Sequence, residues 1–377
     1  MTLARRAWVQ IHLWLGLTLG AIGIAIGLSG SFLVYDREID AWLNPQRYAT
    51  SGSEASRSLA EYSASVRQAV PGSRIVGIRM PEQEGGPVVV TARAQGATFH
   101  RVYVDPPSGE VLEAVPGGGL VGWMHRFHEN LTLRDYWGRE IVGAVGIAML
   151  ISSLSGLYLW WPARGRFREA LGMRSGFTTS RNLHYLLGFY GCIVLALLSF
   201  TGIWLAYVDA GRAVVSAFSP VTPRSVEASA PGGKPVAPDA AVAAAQALYP
   251  GARLAGLGFP NGERGVYRVN LRDATGPVTV FLEPAGGAVL RRAHASNRSG
   301  GDRFLAVQRD LHTGEMLGAA RVLLFLAGLL PAVLVVTGTM MWLRQRRRRY
   351  VATSSGDVAA PAGKNLENAT APSATRR

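Results

Sequence analysis

The sequence predicts a membrane α-helical four-helix bundle with two inserted α+β extracytoplasmic domains, arranged as a parallel internal duplication. Four apolar stretches without charged residues predict the helices, because each is long enough to cross a hydrocarbon core of roughly 30 Å. Charged residues make up only 17% of the 377 residues, which is low for a soluble protein. The two halves of the chain also repeat the same motifs in the same order, which predicts the duplication.

The apolar stretches and the segments between them set the predicted boundaries. The first span is expected to be retained, because it is too long for the h-region of a signal peptide and no Ala-x-Ala cleavage site follows it. The tail is rich in Ala, Ser, Thr and Pro and is expected to be disordered after about residue 352. The predicted segments are the first span 1–35, the first domain 36–138, the second span 139–161, the cytoplasmic loop 162–182, the third span 183–208, the second domain 209–320, the fourth span 321–343 and a basic, then disordered, cytoplasmic tail 344–377.

The distribution of arginine predicts how the chain lies in the membrane. Arginines cluster before the first span, between the second and third spans, and after the fourth, whereas the two long segments are close to charge-balanced. This positive-inside pattern predicts a bacterial inner-membrane protein with both termini and the short loop in the cytoplasm. The net charge of +14 is therefore expected to face membrane lipid, and no nucleic-acid partner is expected.

Matched motifs carry the evidence for the duplication. Each half has a histidine at the start of its first span and a second histidine before its second span, with a Ser/Thr-Gly dipeptide in each span. Each domain has an Ala-rich helix that ends at Pro-Gly and is followed by strand patterns. The common orientation predicts a pseudo-twofold axis along the membrane normal. The matched motifs are His12 with His184, Ser29-Gly30 with Thr201-Gly202, Phe127-His128 with Leu311-His312, and Ser155-Gly156 with Thr337-Gly338.

Five of the seven histidines lie at the ends of the predicted spans. An isolated histidine there would simply face lipid headgroups, but the duplication places His12 opposite His184 and His128 opposite His312. Two neutral imidazoles suit the two axial positions of haem, whereas zinc usually takes four ligands, or three and a water. We therefore expect one haem between each pair. His12 lies 18 residues before Gly30, about 27 Å along a helix, which would place one haem near each membrane face.

His125 and several arginines have more than one interpretation. His125 aligns with Arg309 in the repeat, so it is either an alternative outer ligand or a group beside the ligand or the substrate. The arginines near the sites could pair with haem propionates, and they are explained equally well as interfacial arginines. These candidate propionate partners are Arg126, Arg309 and Arg321 outside, and Arg6 and Arg181 inside.

The motifs resemble a known family. Pro71-Gly72-Ser73, followed by strands and the turn of residues 105–110, resembles the PepSY domain. The segment 127–139, together with the motif Ser-Gly-Leu-Tyr-Leu-Trp-Trp-Pro of residues 155–162, resembles the PepSY-associated transmembrane family, and the likeness covers residues 5–345. This resemblance implies iron-regulated inner-membrane proteins, including ferric-siderophore reductases that hold two b-type haems. It also implies that His12/His184 and His128/His312 are the axial ligands. The second outer motif, residues 311–321, lacks the Trp-Gly-Arg ending of the first, so an asymmetric outer surface is expected.

These observations favour a dihaem b electron-transfer protein that reduces a ferric siderophore or another ferric chelate from Fe(III) to Fe(II) in the periplasm. The cytoplasmic loop of about 20 residues is too short for a dinucleotide-binding domain. The electron donor would therefore be a cytoplasmic reductant, a partner protein or a quinol. The alternative is a non-redox, membrane-anchored PepSY protein that binds peptides or restrains a protease. A transporter is disfavoured, because the spans hold no charged residue to mark an ion path.

Overall fold

The structure is a computed structural model that describes residues 2–161, 167–229 and 233–356. The start of the predicted cytoplasmic loop, part of the second domain and most of the predicted disordered tail therefore lie outside the described residues. The helices are α1 Leu3–Val34, α2 Asp36–Leu43, α3 Leu59–Ala69, α4 Gly119–Asn130, α5 Gly138–Trp160, α6 Phe167–Ala170, α7 Thr179–Ala206, α8 Val208–Ser216, α9 Pro238–Leu248, α10 Gly300–Thr313 and α11 Val322–Gly356, with short 3-10 turns at Pro45–Tyr48, Gln95–Ala97, Ala295–Asn297 and Gly318–Arg321. The strands are β1 Arg74–Arg79, β2 Val88–Arg93, β3 Phe99–Val104, β4 Val111–Pro116, β5 Arg253–Gly258, β6 Tyr267–Asp273, β7 Gly276–Leu282 and β8 Val289–His294.

Four helices are long and apolar enough to cross a membrane: α1, α5, α7 and the helix that contains α11. α1 and α7 each pack against both α5 and α11. The approach of α1 to α11 is close at Gly27, where an added Cβ would lie 2.5 Å from the carbonyl oxygen of Gly328. Ser31 then donates a hydrogen bond of 2.7 Å to the carbonyl of Phe325. Small residues therefore let the two backbones touch, as in other membrane helix pairs.

The two soluble segments form one eight-stranded antiparallel sheet with the order β4-β3-β2-β1-β5-β6-β7-β8. The sequence predicts two separate domains, but β1 and β5 pair across the seam, with Arg79 opposite Gly256 and Gly77 opposite Gly258. The physical reason is that β1 and β5 would otherwise be edge strands with unpaired backbone groups. The four candidate membrane helices and this α+β region agree with the coarser prediction of a helical membrane protein with an α+β part.

Helices α3 and α9 cover one face of the sheet, and a shared core of apolar side chains lies beneath them. Tyr62 and Val66 of α3 and Ala245 of α9 are fully buried there. The two halves also join at a helix terminus, because Asp239 accepts hydrogen bonds from the backbone N–H groups of Leu59 and Ala60. A carboxylate at that position satisfies donors that the first turn of α3 leaves unpaired.

The other face of the sheet, which we call the open face, is turned towards the membrane helices. Tyr103 on this face donates a hydrogen bond of 3.0 Å to Asp40 of α2, which directly follows α1. Arg47 is buried beside them and binds both Asp40, at 2.6 Å, and Glu113 of β4, at 3.0 Å. The hydrogen bond from Arg47 lowers the pKa of Glu113 below its ordinary value. This buried charged cluster fixes the sheet to the end of α1.

The histidines before the second and fourth spans lie on helices of their own. The sequence places His125, His128 and His312 at the ends of those spans, but the structure places them on α4 and α10. Residues 131–137 separate α4 from α5, and Leu131 and Trp137 have positive φ angles of 53° and 61°. These two residues, with left-handed backbone angles, end α4 and begin α5. The break lets α4 change direction and place the ring of His128 between the spans.

Candidate functional site

The four matched histidines meet in two pairs. The ring centroids of His12 on α1 and His184 on α7 are 6.2 Å apart, with an angle of 88° between the rings. The centroids of His128 on α4 and His312 on α10 are 6.1 Å apart, with an angle of 45°. We call the first the distal pair and the second the sheet-side pair. The structure thus brings together the residues that the duplication places opposite one another.

A hydroxyl group on a neighbouring helix holds the Nδ1 atom of every one of these rings. The four contacts are His12 to Ser155 at 3.0 Å, His128 to Ser29 at 3.0 Å, His184 to Thr337 at 3.1 Å and His312 to Thr201 at 3.0 Å. Each hydroxyl donates its own hydrogen to a carbonyl of its helix, so its oxygen accepts from the imidazole. Nδ1 is therefore the protonated nitrogen in all four rings, and Nε2 keeps its lone pair.

A glycine follows each of these hydroxyl residues and makes room for the ring. A Cβ added at Gly30 would lie 3.0 Å from Cε1 of His128, and one at Gly156 would lie 3.2 Å from Cε1 of His12. Gly202 and Gly338 stand in the same relation to His312 and His184, at 3.1 Å each. We call each Ser/Thr-Gly dipeptide a socket. The sequence shows these dipeptides as repeated motifs but does not reveal that they hold the histidines.

The residues present at both pairs fit haem. Within the described residues the Nε2 atoms make no hydrogen bond, so all four lone pairs are free to bind a metal. A metal ion bound by one nitrogen of each ring at about 2 Å would need ring centroids about 6 Å apart. The centroid distances of 6.2 and 6.1 Å leave that room. In the part of the chain that the structure describes, no group of three or more His, Cys, Asp or Glu side chains could hold a metal ion. Each site would thus supply two ligands, the number that cytochrome-type haems take from a protein.

His125 lies apart from the sheet-side pair. Its Nε2 atom is 3.1 Å from Oδ2 of Asp36, at the start of α2, and its side chain is 42% exposed. Burial alone would raise the pKa of Asp36, but the hydrogen bonds and charges of His125 and Arg37 together outweigh burial and lower that pKa. The structure therefore places His125 beside the outer site as a partner of Asp36.

The arginines that the sequence offers as propionate partners differ in their contacts. Arg126 donates a hydrogen bond of 2.7 Å to the carbonyl of Gly117, and Arg321 forms an ion pair with Glu38. Arg181 stacks over the ring of Phe177, with its guanidinium carbon 3.7 Å from the centroid. Arg309 is exposed and makes no hydrogen bond or ion pair with any described residue. Arg309 is thus the outer arginine with the most freedom to bind a ligand group.

An apolar cavity opens beside the distal pair. It has a volume of about 300 Å³ and lies between α1 and α5, where Ser155 of one socket forms part of its wall. The other lining residues are Trp8, Ile151, Leu154 and Tyr158. The distal pair therefore has space for a large apolar group at its side.

The chain matches one protein family over most of its length. The family described as the PepSY-associated TM region matches residues 9–345, which include both histidine pairs, all four sockets and the whole sheet. No curated protein matches the chain at a significant level. The match covers far more than half of the sequence, and the chain belongs to the PepSY-associated transmembrane family.

Proposed function

We propose that this protein is a dihaem b electron-transfer protein of the bacterial inner membrane that reduces a ferric siderophore or another ferric chelate in the periplasm. One observation carries the proposal: four histidines form two facing pairs, and all four have the same tautomer. A membrane-anchored binding protein without redox chemistry would have no need for four free Nε2 lone pairs inside its helices. Buried polar groups are costly there and usually have a function.

Bound haem would supply an iron that takes up and passes on one electron at a time. The residues of the chain would hold and orient the haems. His12 and His184 would hold one haem, and His128 and His312 the other. The sockets fix the ring orientations, and the hydrogen bond at Nδ1 makes Nε2 a better donor to a metal.

The spacing of the pairs suits transfer across a membrane. His12 and the socket residue Ser29 are 17 residues apart on α1, which corresponds to about 26 Å along the helix axis. The arginine distribution orients the sheet towards the periplasm and both termini towards the cytoplasm. Trp123 stacks on Phe127 at 5.1 Å and is 44% exposed, on the same helix as His128. These rings offer an exposed aromatic surface one turn or so from the sheet-side pair along α4.

We also infer that the two halves are copies of one unit. In each half, the first histidine occupies a socket on the second span, and the second histidine occupies a socket on the first span. Each half therefore supplies one histidine with its socket to each site, and each site is completed by the other half. A duplicated unit explains why both sites have the same hydrogen bonds.

The proposal is tested on the purified full-length protein in detergent. We expect about two haem b per chain by pyridine haemochromogen assay. Dithionite should shift the Soret band, and a ferric chelate added without oxygen should reverse the shift and release Fe(II) that ferrozine traps. A folded but colourless preparation would refute haem binding. Reduced haem that a range of ferric chelates fails to reoxidise would refute the reductase activity.

A further inference from the structure

A large cavity lies on the open face of the sheet, at the seam between the two halves. Its volume is about 710 Å³, within the range of pockets that hold small molecules. Strands β1 and β2 line one side, and β5 and β6 line the other. The cavity thus exists only because β1 and β5 pair and join the two soluble segments, which we call the first and second modules, into one sheet.

Glycines form the floor of this cavity. On the open face, the seam presents Gly77, Gly256 and Gly258 next to one another. A Cβ at Gly256 would lie 2.6 Å from the carbonyl oxygen of Ile78, so a side chain there would push the strands apart. The floor is therefore bare backbone, and the neighbouring long side chains form its walls.

The walls carry a strong positive charge. Arginines 79, 253, 268 and 272 line the cavity, and none of their side chains makes a hydrogen bond or ion pair with any other described residue. Among the described residues that line the cavity, Glu82 is the only acidic one, and it forms an ion pair of 2.5 Å with Arg37. Four unpaired guanidinium groups around one cavity repel one another, so an anion between them would be favourable.

The register places two of these arginines on opposite sides of the floor. Arg79 pairs with Gly256, and Gly256 pairs with Asn270. Gly77 pairs with Gly258, and Gly258 pairs with Arg268. Arg79 and Arg268 therefore flank the glycines from the first and second modules. The two modules are not equivalent here, because the repeat places Val89 in the first module where Arg268 stands in the second.

The cavity lies on the face of the sheet that also contacts α2 and the start of α4. The open face carries Tyr103, which binds Asp40 of α2. Arg101 on the same face lies within 4 Å of the position of a Cβ at Gly118, just before α4. The rim residue Glu82 is tied to Arg37, next to the Asp36 that binds His125. A molecule in the cavity would thus lie on the same side of the sheet as α2 and the start of α4, the helix that carries His128.

We propose that this cavity binds the ferric chelate, and that the chelate is anionic, with carboxylate or catecholate oxygens held by Arg79 and Arg268. The inference rests on the proposed function, which requires a ferric substrate near the sheet-side pair. Guanidinium groups bind planar pairs of negatively charged oxygens through two parallel hydrogen bonds. Asn270 and Thr91 add neutral hydrogen-bonding groups at the walls.

Gallium citrate is the probe, because Ga(III) forms a similar anionic chelate and is not reduced by haem. We expect the full-length protein to bind it in a calorimetric titration, and binding to weaken as the salt concentration rises. Replacing both Arg79→Gln and Arg268→Gln should weaken binding at least about tenfold, since a hydrogen bond to a charged group contributes that much or more. Asn270→Asp should also weaken binding, because it adds a negative charge and removes no arginine.

Arg67→Gln is the matched control. It removes one positive charge, as each of the two cavity substitutions does, but from the exposed side of α3, which covers the opposite face of the sheet. The affinity of this variant for gallium citrate should equal that of the wild type. Unchanged binding in the double variant and in Asn270→Asp would overturn the proposal, as would an equal loss in Arg67→Gln. Equal affinity for metal-free citrate would overturn the assignment to a chelate.

The two proposals fail in different ways. If gallium citrate binds through the arginines but neither ferric citrate nor the other ferric chelates are reduced, the anion site is supported and the reductase function is refuted. If ferric citrate is reduced but the double variant keeps the wild-type KM for it and the wild-type affinity for gallium citrate, the reductase function is supported and the assignment of the cavity is refuted. His312→Ala should abolish reduction and leave the binding of gallium citrate intact.

Discussion

Nδ1 of His128 lies 3.0 Å from the hydroxyl oxygen of Ser29, and the ring packs against the glycine that follows. The same arrangement occurs at all four histidines, with serine in the first half and threonine in the second. It fixes the tautomer and orientation of each ring before any ligand arrives. Histidine side chains that are held in place in this way lose little conformational entropy when they bind a metal.

Removing one ligand of each pair should remove one haem. We expect His184→Ala and His312→Ala each to lower the haem content by about half, because each site needs both axial histidines. The two variants should lose different bands of the reduced-minus-oxidised spectrum. His125→Ala is the control, and we expect it to retain both haems. Full haem content in both ligand variants would refute the pairing.

The Ser29 hydroxyl should matter through its hydrogen bond. Ser29→Ala removes one of the two acceptors of the Nδ1 proton and leaves the carbonyl of Ile26 at 3.0 Å. We therefore expect about 10-fold weaker binding of the sheet-side haem. Ser29→Thr should bind haem as the wild type does, because the hydroxyl of Thr201 makes the equivalent hydrogen bond to His312 in the other half. Haem affinity is measured by titration of the apoprotein. Equal loss in both variants would show that packing, and not the hydrogen bond, is what matters.

The socket glycine should be sensitive to a single methyl group. In Gly30→Ala the new Cβ would lie 3.0 Å from Cε1 of His128, so the ring must move. We expect the sheet-side haem to be lost or its midpoint potential to shift, with the distal haem unchanged. Gly16→Ala on the same helix meets nothing within 4 Å and serves as the control. Redox titration followed by absorbance separates the two haems.

The buried arginine that joins the sheet to α2 should be a determinant of stability. Arg47→Met leaves Asp40 and Glu113 without their cation, and we expect a loss of about 3 kcal/mol in the free energy of unfolding. Arg57→Met breaks an exposed ion pair with Glu61 and should cost less than about 1 kcal/mol. Denaturant unfolding, followed by tryptophan fluorescence, gives both values. A similar loss in both variants would contradict the role of burial.

Much of the fold could be predicted from local patterns. A span such as α5, Gly138–Trp160, follows from apolar composition over about 20 residues, which does not depend on distant parts of the chain. The strands and the Pro-Gly helix ends follow in the same way. The placement of His128 on α4 could not be predicted, because the break at residues 131–137 depends on left-handed backbone angles at Leu131 and Trp137, which are not glycines.

The sequence by itself determined the spans, the repeated motifs and the histidine positions, because hydrophobic length and internal repetition are properties of the chain read in order. Only the tertiary structure decided which groups touch. It joined β1 to β5, which lie far apart in the sequence, and so made one sheet and the cavity at its seam. It also placed each Ser/Thr-Gly dipeptide against a histidine about 100 or more residues away. Such contacts depend on how helices and strands pack in three dimensions, and no local pattern in the sequence encodes them.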